Sequence, residues 1–334
     1  MIFEKTLIIA EAGVNHNGDI EIAKSLCMAA KKSGADVIKF QTWITDRIIT
    51  KEVKQAEYQS DNTGSNQSQY EMLKSLELSF DNFREIKEYC DSIGICFAST
   101  ADEEDSLDFL IELGIPFIKL GSGELSNIPF LRYCGTKGLP IILSTGMGNL
   151  SDVEVAINAI RQGGSNDITL LHCTTSYPCP FDMVNLKAML TLKNAFGLSV
   201  GYSDHTQGIE VPIAAVSLGA KVIEKHFTLN KNMSGPDHIA STEPEEFKKM
   251  VQSIRNIEIS LGTGFKTPTE KESEISKVVL KHIVAKRFIP EGKVICSDDI
   301  CVKRSSSGLP ASAWDIIVGT VARKSYTIDE GITI

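Results

Sequence analysis

The sequence predicts an α/β protein built as a (β/α)8 TIM barrel, followed by a small β-rich domain. Eight short apolar runs, each followed by a helical pattern, fit within about 260 residues, which is the size of such a barrel. Nearly every run ends in a polar residue, and the composition changes after Gly262. A doubly wound sheet is the alternative, but no GxGxxG follows any run, so a dinucleotide site has no support.

The composition excludes several classes of protein. The 334 residues are 42% hydrophobic and 23% charged, as in ordinary globular proteins, and the net charge of −9 argues against nucleic acid as a partner. No apolar run approaches the ~18 residues of a membrane span, and Met1–Lys5 leads straight into a strand. The eight cysteines form no CxxC pair, which indicates reduced core residues rather than a metal or redox pair at Cys173 and Cys179. We therefore expect a cytoplasmic, soluble protein with no membrane partner.

The predicted strands are continuous β-branched runs of the kind buried in parallel sheets. In chain order they are Thr6–Ala10, Asp36–Phe40, Ile95–Ser99, Pro116–Leu120, Pro140–Leu143, Ile168–His172, Leu198–Tyr202 and Ala220–His226.

Amphipathic helices are predicted after the strands. Asp19 caps the first and Gly34 stops it, and capping boxes at Ser151–Glu154 and Thr242–Glu245 begin two later ones. The helices after the first are Asp81–Ile93, Glu103–Leu113, Ile128–Thr136, Val153–Ile160, Leu186–Asn194, Ile209–Leu218 and a last helix with an apolar stripe at Phe247, Met250, Val251, Ile254 and Leu261.

Two segments depart from this rhythm. Gln55–Gln69 is too polar for a core and predicts a long excursion over the strand ends. Residues 263–277 predict a charged linker, and residues 278–334 a separate β-rich domain with strands at His282–Arg287, Asp299–Lys303 and Thr320–Tyr326. The latter carries eight Lys/Arg and six Asp/Glu, a net +2, against −11 for residues 1–277. The predicted domains are thus 1–262, 263–277 and 278–334.

Two histidines end neighbouring predicted strands. Because the carboxyl ends of adjacent parallel strands lie side by side, His205 and His226 are expected to be close, with Asp237 on a loop behind them. Two imidazoles beside a carboxylate suit a divalent metal with open positions for substrate. His172 lies within a strand and favours a structural role, whereas for His16 the packing and site roles are evenly balanced.

Polar residues end nearly all the other strands, on the face where barrel enzymes build their active sites. A lysine on an apolar strand is costly to bury unless it is paired, which makes Lys39 and Lys119 site residues. The set comprises Glu11, Lys39, Gln41, Thr100, Lys119, Ser122, Glu124, Ser144, Tyr177, Ser203, His205 and His226.

The motifs at these positions resemble the bacterial sialic acid (N-acetylneuraminate) synthases and their legionaminic and pseudaminic acid synthase relatives. They are Glu11–Gly18 (EAGVNHNG), Lys39–Thr42 (KFQT), Lys119–Glu124 (KLGSGE), Ser144–Met147 (STGM), Tyr202–Thr206 (YSDHT) and Glu224–Thr228 (EKHFT) with Ser234–Asp237 (SGPD). The resemblance extends to the tail, which is similar to the antifreeze-like (SAF) domain of these enzymes. It implies condensation of phosphoenolpyruvate with an N-acetylated hexose to a nine-carbon 2-keto acid and phosphate.

The resemblance also implies a role for each residue. His205 and His226 would bind Mn²⁺ or Mg²⁺, and Glu11 would act near the metal and the attacking water. Lys39, Lys119, Thr100, Ser122, Ser144 and Ser203 would hold phosphoenolpyruvate. Gln41, Glu124, Tyr177 and Asp237 would meet the sugar, and Thr42 counts with the substrate-binding residues. The expected catalytic residues are Glu11, Lys39, Lys119, Glu124, Tyr177 and Asp237.

Arg304 stands where the family's tail reaches into the partner subunit's barrel to contact the acetamido group. This position implies a domain-swapped homodimer. Ser305 follows Arg304 where many members have proline, so the rigidity of this loop departs from the family pattern.

The chemistry of these residues agrees with the function that the resemblance implies, but one other mechanism and two other functions compete with it. Lys39 and Lys119 can neutralise a phosphate and a carboxylate, a metal can polarise the aldehyde, and Glu11 can serve as a base if crowding raises its pKa. A Schiff-base aldolase using Lys39, Lys119 or Lys225 is the rival mechanism. Barrels that condense phosphoenolpyruvate with phosphorylated aldoses, and an ice- or carbohydrate-binding protein, are the rival functions.

The exact sugar is left open by the sequence. N-acetylmannosamine is favoured, unphosphorylated because no extra basic cluster is present, with the 2,4-diacetamido-2,4,6-trideoxy sugar of the legionaminate synthases as the alternative. Discrimination is expected in residues 55–69 or near Tyr177.

Overall fold

The first of two compact units is a closed barrel of eight parallel strands. The computed structural model describes residues 5–55, 59, 62 and 67–333, and the units divide after Gly262. The strands follow one another around the barrel in sequence order, and the eighth pairs with the first. The predicted (β/α)8 fold is confirmed.

The eight strands overlap the predicted runs, with ends that differ by a few residues. They are β1 (Leu7–Gly13), β2 (Val37–Thr42), β3 (Cys96–Ala101), β4 (Ile118–Leu120), β5 (Ile141–Ser144), β6 (Ile168–Cys173), β7 (Ser199–Asp204) and β8 (Val222–His226). 

Helices surround the barrel. Between β2 and β3 the described chain forms two short helices before the longer helix that leads into β3. In chain order the helices are α1 (Ile20–Lys32), α2 (Thr45–Ile48), α3 (Gln69–Leu76), α4 (Phe80–Ile93), α5 (Glu104–Glu112), α6 (Ile128–Gly135), α7 (Leu150–Gln162), α8 (Ala188–Phe196), α9 (Glu210–Ser217) and α10 (Pro244–Leu261). Most of the predicted excursion Gln55–Gln69 lies outside the described residues, as do Met1–Glu4; the described ends of the excursion meet in a Lys54–Ser68 bridge.

The strand register places polar residues at one level of the barrel. Glu11 is paired with Lys39 on one side and with His226 on the other. Below this level the barrel interior is filled by apolar side chains, and a larger apolar layer packs the strands against the helices. Because alternate strand residues face opposite ways, Glu224 and His226 share the inner face with Glu11.

Three predicted helix details are wrong. α7 begins at Asn149, whose side chain forms a capping box with Asp152, because Asn149 is the residue with extended backbone, rather than Ser151. α10 has proline in its first turn and no side-chain cap, and the Thr242 amide instead donates to the His226 carbonyl. Leu261, expected in the apolar stripe, is 55% exposed at the last position of α10.

The second unit, residues 263–334, has its own core, which includes Ile283, Ile289, Ile295, Tyr326 and Ile332. Its described elements are α11 (Glu270–Val279), the antiparallel pair β9 (Lys281–Ala285) and β10 (Ile300–Arg304), and α12 (Trp314–Ile317). The predicted strand Thr320–Tyr326 is wrong, since these residues form only isolated bridges to Val294 and Ile289. The charged segment expected to be a linker contains most of α11.

The cysteines are all free thiols, but not all belong to the core. Cys27, Cys90, Cys134, Cys173 and Cys179 are buried, whereas Cys96 and Cys296 are exposed and Cys301 is half-buried. Cys96 is the first residue of β3 and is exposed there, so its apolar neighbours in sequence were misleading. Within the described part of the chain, no helix is long and apolar enough to cross a membrane.

Candidate active site

A cavity of about 140 Å³ lies at the carboxyl ends of the barrel strands. Most of its lining residues are the polar strand ends that the sequence singled out. They are Glu11, Lys39, Gln41, Lys119, Ser122, Ser144, Tyr177, Ser203, His205 and His226, joined by Gly121, Gly123, Met147, Cys173, Thr175 and Glu224.

Two lysines and two carboxylates form a buried network on the floor of this cavity. Lys39 Nζ lies 2.6 Å from Glu11 Oε2 and 3.7 Å from Glu224 Oε2, and Lys119 Nζ lies 3.2 Å from Glu224 Oε1. Each lysine also donates to a hydroxyl, Lys39 to Thr100 at 2.8 Å and Lys119 to Ser144 at 2.9 Å. The lysines are therefore fixed on β2 and β4, with β3 between them, and the buried carboxylates compensate their charge.

The pKa values of the two carboxylates of the network are shifted in opposite directions. Burial raises the pKa of Glu11 to about 7, although Lys39 pulls it down. Burial also acts on Glu224, but Lys119, Lys39 and the Ser203 hydroxyl outweigh it and lower its pKa to about 2. For Lys39, burial is outweighed by Glu11 and Glu224, so its pKa is raised. Glu11 is thus placed to exchange a proton near neutral pH, while Glu224 stays ionised.

His205 and His226 are neighbours, with ring centroids 5.5 Å apart. His205 Nδ1 lies 2.7 Å from the Thr174 carbonyl, which leaves its Nε2 for the cavity, and the buried Nδ1 of His226 has no hydrogen-bond partner. Burial lowers the pKa of both rings, and that of His226 falls furthest because His205 faces it. Neutral imidazoles with free nitrogens fit a divalent metal. No group of three or more potential ligands is found among the described residues, so water or substrate would complete the coordination.

A second cavity, of about 130 Å³, adjoins the first and shares Gln41, Tyr177 and His226 with it. Asp237 lies in this second cavity, where burial raises its pKa to about 6. The remaining lining residues are Val14, Gln59, Met72, Leu73, Leu76 and Pro236. The Tyr177 ring lies 4.1 Å from the His205 ring, between the two spaces.

Four predicted residues lie outside both cavities. Thr100 supports Lys39 from behind, and Thr42 is fully buried with its hydroxyl 2.7 Å from Ser99 Oγ. Glu124 follows Ser122 in a 3-10 turn; its Oε2 accepts from Asn127 and burial raises its pKa. Arg304 is exposed at the end of β10 in the second unit.

The sequence reasoning named Glu224 only within a motif and assigned it no role in the site, and it did not name Asp102, which lines neither cavity. Glu224 lies two residues before His226 on the same strand, so the period of two places it on the same face; this signal was available. Asp102 follows β3, and burial together with the neighbouring Glu124 raises its pKa to about 7. Nothing in the pattern of β3 distinguishes Asp102 from an ordinary loop residue.

Three other polar residues have structural partners. Lys225 Nζ pairs with Asp204 at 2.5 Å and donates to the Thr206 carbonyl at 2.7 Å, outside the cavity, so it offers no Schiff-base lysine there. His172 Nε2 lies 2.8 Å from the Val184 carbonyl. His16 accepts from the Gly18 amide at Nδ1, and burial lowers its pKa to about 4.

The chain is similar to known proteins over nearly its whole length. The NeuB family matches residues 26–266 and the SAF domain matches residues 282–334. The N,N'-diacetyllegionaminic acid synthase of Legionella pneumophila is 48% identical over 331 residues, covering 98% of this chain and 92% of that protein. The corresponding synthase of Campylobacter jejuni is 46% identical over 329 residues, covering 98% of each.

A solved structure supports the same relationship. The N-acetylneuraminic acid (sialic acid) synthetase of Leptospira borgpetersenii serovar Hardjo-bovis, in complex with citrate, has a TM-score of 0.72 at 34% identity and covers 81% of this chain and 90% of that one. The chain therefore belongs to the NeuB family of sialic-acid-type synthases and carries a SAF domain after its barrel.

Proposed function

We propose that this chain condenses phosphoenolpyruvate with the open-chain form of 2,4-diacetamido-2,4,6-trideoxymannose, giving N,N'-diacetyllegionaminic acid and phosphate. C3 of phosphoenolpyruvate forms a bond to the aldehyde carbon, water adds to C2, and the bond from C2 to the phosphate oxygen breaks. The atoms balance with no further reactant.

The observation that carries this proposal is the pair of adjoining cavities. The first cavity holds two lysines and three serine hydroxyls, which suits a small dianionic or trianionic substrate. The second cavity combines Gln41, Asp237 and Tyr177 with aliphatic side chains, which suits a sugar with methyl groups. The shared residues form the place where the two substrates would meet.

The network gives each residue of the first cavity a task. Lys39 and Lys119 would bind the phosphate and carboxylate of phosphoenolpyruvate, and they would give up their contacts to Glu224 as they turn toward the substrate. Glu11, with its pKa near 7, would take the proton of the water that adds to C2. Gln41, whose amide donates to Glu11 Oε1 at 3.2 Å, would orient that carboxylate.

We propose His205 and His226 as the ligands of Mn²⁺ or Mg²⁺. When bound, the ion would supply Lewis-acid polarisation of the aldehyde oxygen. The chain itself would supply neutral, oriented imidazoles, since His205 is held by the Thr174 carbonyl.

The choice of sugar rests on the relatives and on the second cavity. The two legionaminic acid synthases are the more similar in sequence, at 48% and 46%, whereas the neuraminic acid synthetase shares 34%. N-acetylmannosamine, which the sequence motifs alone favour, is the second candidate; the family membership and the polar residues Gln59 and Asp237 support it.

The test is phosphate release from phosphoenolpyruvate with each sugar separately, with Mn²⁺ and with EDTA. Turnover mainly of the diacetamido sugar supports the proposal, and turnover of N-acetylmannosamine alone moves the assignment to neuraminate. Release that survives EDTA would contradict the metal role of the histidines, and release with neither sugar would contradict the substrate assignment.

We also propose the domain-swapped homodimer, with Arg304 contacting the acetamido group in the partner's barrel. Exposed apolar side chains near the barrel mouth, Met147 at 74% and Phe181 at 62%, support a surface that a second copy covers. The eight free thiols support a reducing compartment such as the cytoplasm.

A further inference from the structure

Among the residues that the structure describes, one wall of the second cavity has no hydrogen-bonding side chain. It is formed by Met72, Leu73 and Leu76 of α3 together with Val14 from the loop after β1. Residues 72, 73 and 76 lie on one helix face at spacings of three and four. Met72, Leu76 and Val14 are buried in a small cluster with Trp43, while Leu73 is half-buried at its edge. We call these four residues the aliphatic wall.

The aliphatic wall is fixed in place by its surroundings. α3 begins with a complete capping box, Ser68 with Glu71. Gly18 allows α3 to pack closely against the loop after β1, because a Cβ at position 18 would lie 2.7 Å from the Ser75 carbonyl oxygen of α3. Past the end of α3, Glu77 Oε2 accepts the Thr45 amide at 2.9 Å. A wall held at both ends offers a preformed apolar surface rather than one that rearranges around a polar group.

The opposite side of the cavity is polar and leads to the reacting centre. Gln41 and His226 belong also to the first cavity, so the aldehyde carbon must lie near them. A hexose chain entering with C1 at this point has its C6 end directed away from the first cavity. The aliphatic wall belongs to the second cavity alone, and so do Gln59, Pro236 and Asp237.

We infer that the aliphatic wall is the specificity determinant at C6 of the sugar. The wall packs against the methyl group of a 6-deoxy sugar and leaves a 6-hydroxyl facing it without a partner. This inference rests on the proposed function and deepens it, because it assigns the choice between the two candidate sugars to named residues. A pocket of this kind discriminates by about 10- to 200-fold between ligands that differ by one small group.

The test compares sugars that differ only at C6. Initial rates of phosphate release are measured with N-acetylmannosamine and with its 6-deoxy analogue, which gives a ratio of kcat/KM values independent of the C4 substituent. The wild-type ratio is expected to favour the 6-deoxy sugar. Leu73→Asn places an amide at the half-buried edge of the wall and is expected to reduce the ratio at least about tenfold. The KM for phosphoenolpyruvate is expected to stay unchanged.

Matched variants separate the wall from general damage. Leu73→Met keeps an aliphatic surface and should retain the wild-type ratio, and Leu190→Asn makes the same change at a half-buried position of α8 that lines neither cavity. If Leu73→Asn fails to fold, Leu73→Thr serves in its place.

The two proposals fail in different ways. If wild-type enzyme uses the diacetamido sugar but the C6 ratio is the same in wild type, Leu73→Asn and Leu190→Asn, the inference about the wall is overturned and the proposed function stands. If wild-type enzyme rejects the diacetamido sugar, the proposed sugar is overturned. A ratio of kcat/KM values that favours the 6-hydroxy sugar in the wild-type enzyme also overturns the inference about the aliphatic wall.

Discussion

Glu224 shows how much of this site depends on one buried charge. Its carboxylate lies between Lys39 and Lys119 and also accepts from Ser203 at 3.0 Å. Both lysines have other anchors, since Lys39 donates to Thr100 and Lys119 to Ser144. The charge of Glu224 therefore opposes the binding of an anion more than it positions the lysines.

We predict that Glu224→Gln binds inorganic phosphate more tightly. The amide keeps the shape but removes one negative charge beside the anion site, and part of that charge returns because Glu11 then ionises more readily. The inhibition constant for phosphate should fall by about three- to tenfold. Competitive inhibition against phosphoenolpyruvate measures it, with the surface variant Glu85→Gln as control; weaker phosphate binding would instead assign Glu224 a positioning role.

The activity should depend on the ionisation of Glu11. A base must be deprotonated to act, and burial raises the pKa of Glu11 to about 7. We therefore expect kcat/KM for phosphoenolpyruvate to be low at pH values below 7 and to rise as the pH increases through 7. In Glu224→Gln one of the causes that raise this pKa is gone, so the acid limb should move to lower pH. If the acid limb of the pH profile stays at the same pH in Glu224→Gln, a group other than Glu11 is responsible for it.

Sequence reasoning reached most residues of the site because strand ends converge in a barrel. It brought Glu11, Lys39, Lys119 and the two histidines to one face without a structure. Thr42 shows the limit of that rule, since its side chain follows the period of two to the opposite face and bonds Ser99. Raised carboxyl pKa values, as at Asp102, depend on burial, which local sequence does not specify.

At the scale of elements, α3 was the least predictable part of the barrel unit. The polar residues before it hid a short amphipathic helix, whereas longer helices such as α4 and α10 were evident from their apolar period. Helix starts were misplaced where several capping residues occur together, as at Asn149 and Ser151, because sequence alone does not show which one has extended backbone.

The position of α3 depends on Gly18, and we predict that Gly18→Ala disturbs it. Gly18 has φ of +75°, and its added methyl would meet the Ser75 carbonyl, so the change should cost about 1–3 kcal/mol of stability. The displaced wall should raise the KM for the sugar and leave that for phosphoenolpyruvate unchanged. Thermal denaturation and steady-state kinetics measure both, with Gly114→Ala, which has positive φ and open space, as control for backbone strain alone.

At the scale of the whole molecule, the sequence pattern indicated two parts but not which surfaces a second copy would cover. The change of composition after Gly262 coincides with the boundary between the compact units. The proposed homodimer rests on the family resemblance, since the pattern of one chain does not specify an interface.

Complementation between subunits tests the proposed dimer. Lys39→Met and Arg304→Ala are each expected to reduce activity strongly, because one loses the anion site and the other the contact supplied to its partner. Mixed dimers, obtained by co-expression and purification through two different tags, should regain one of two sites and so about half of wild-type activity per dimer. Mixed dimers as inactive as the two parents would show that Arg304 acts within its own barrel. Full activity of the Arg304→Ala parent would show that Arg304 has no role in the site.

Gln41, Tyr177 and His226 line both cavities, so the two cavities meet at these three side chains. A single molecule that joins a phosphonate-bearing three-carbon acid to an acetamido polyol can therefore occupy both spaces at once. Its second half binds at the high effective concentration that a short covalent link provides, so such a bisubstrate inhibitor should bind far more tightly than either fragment. The shared lining that allows the reaction also makes the enzyme open to this kind of inhibition.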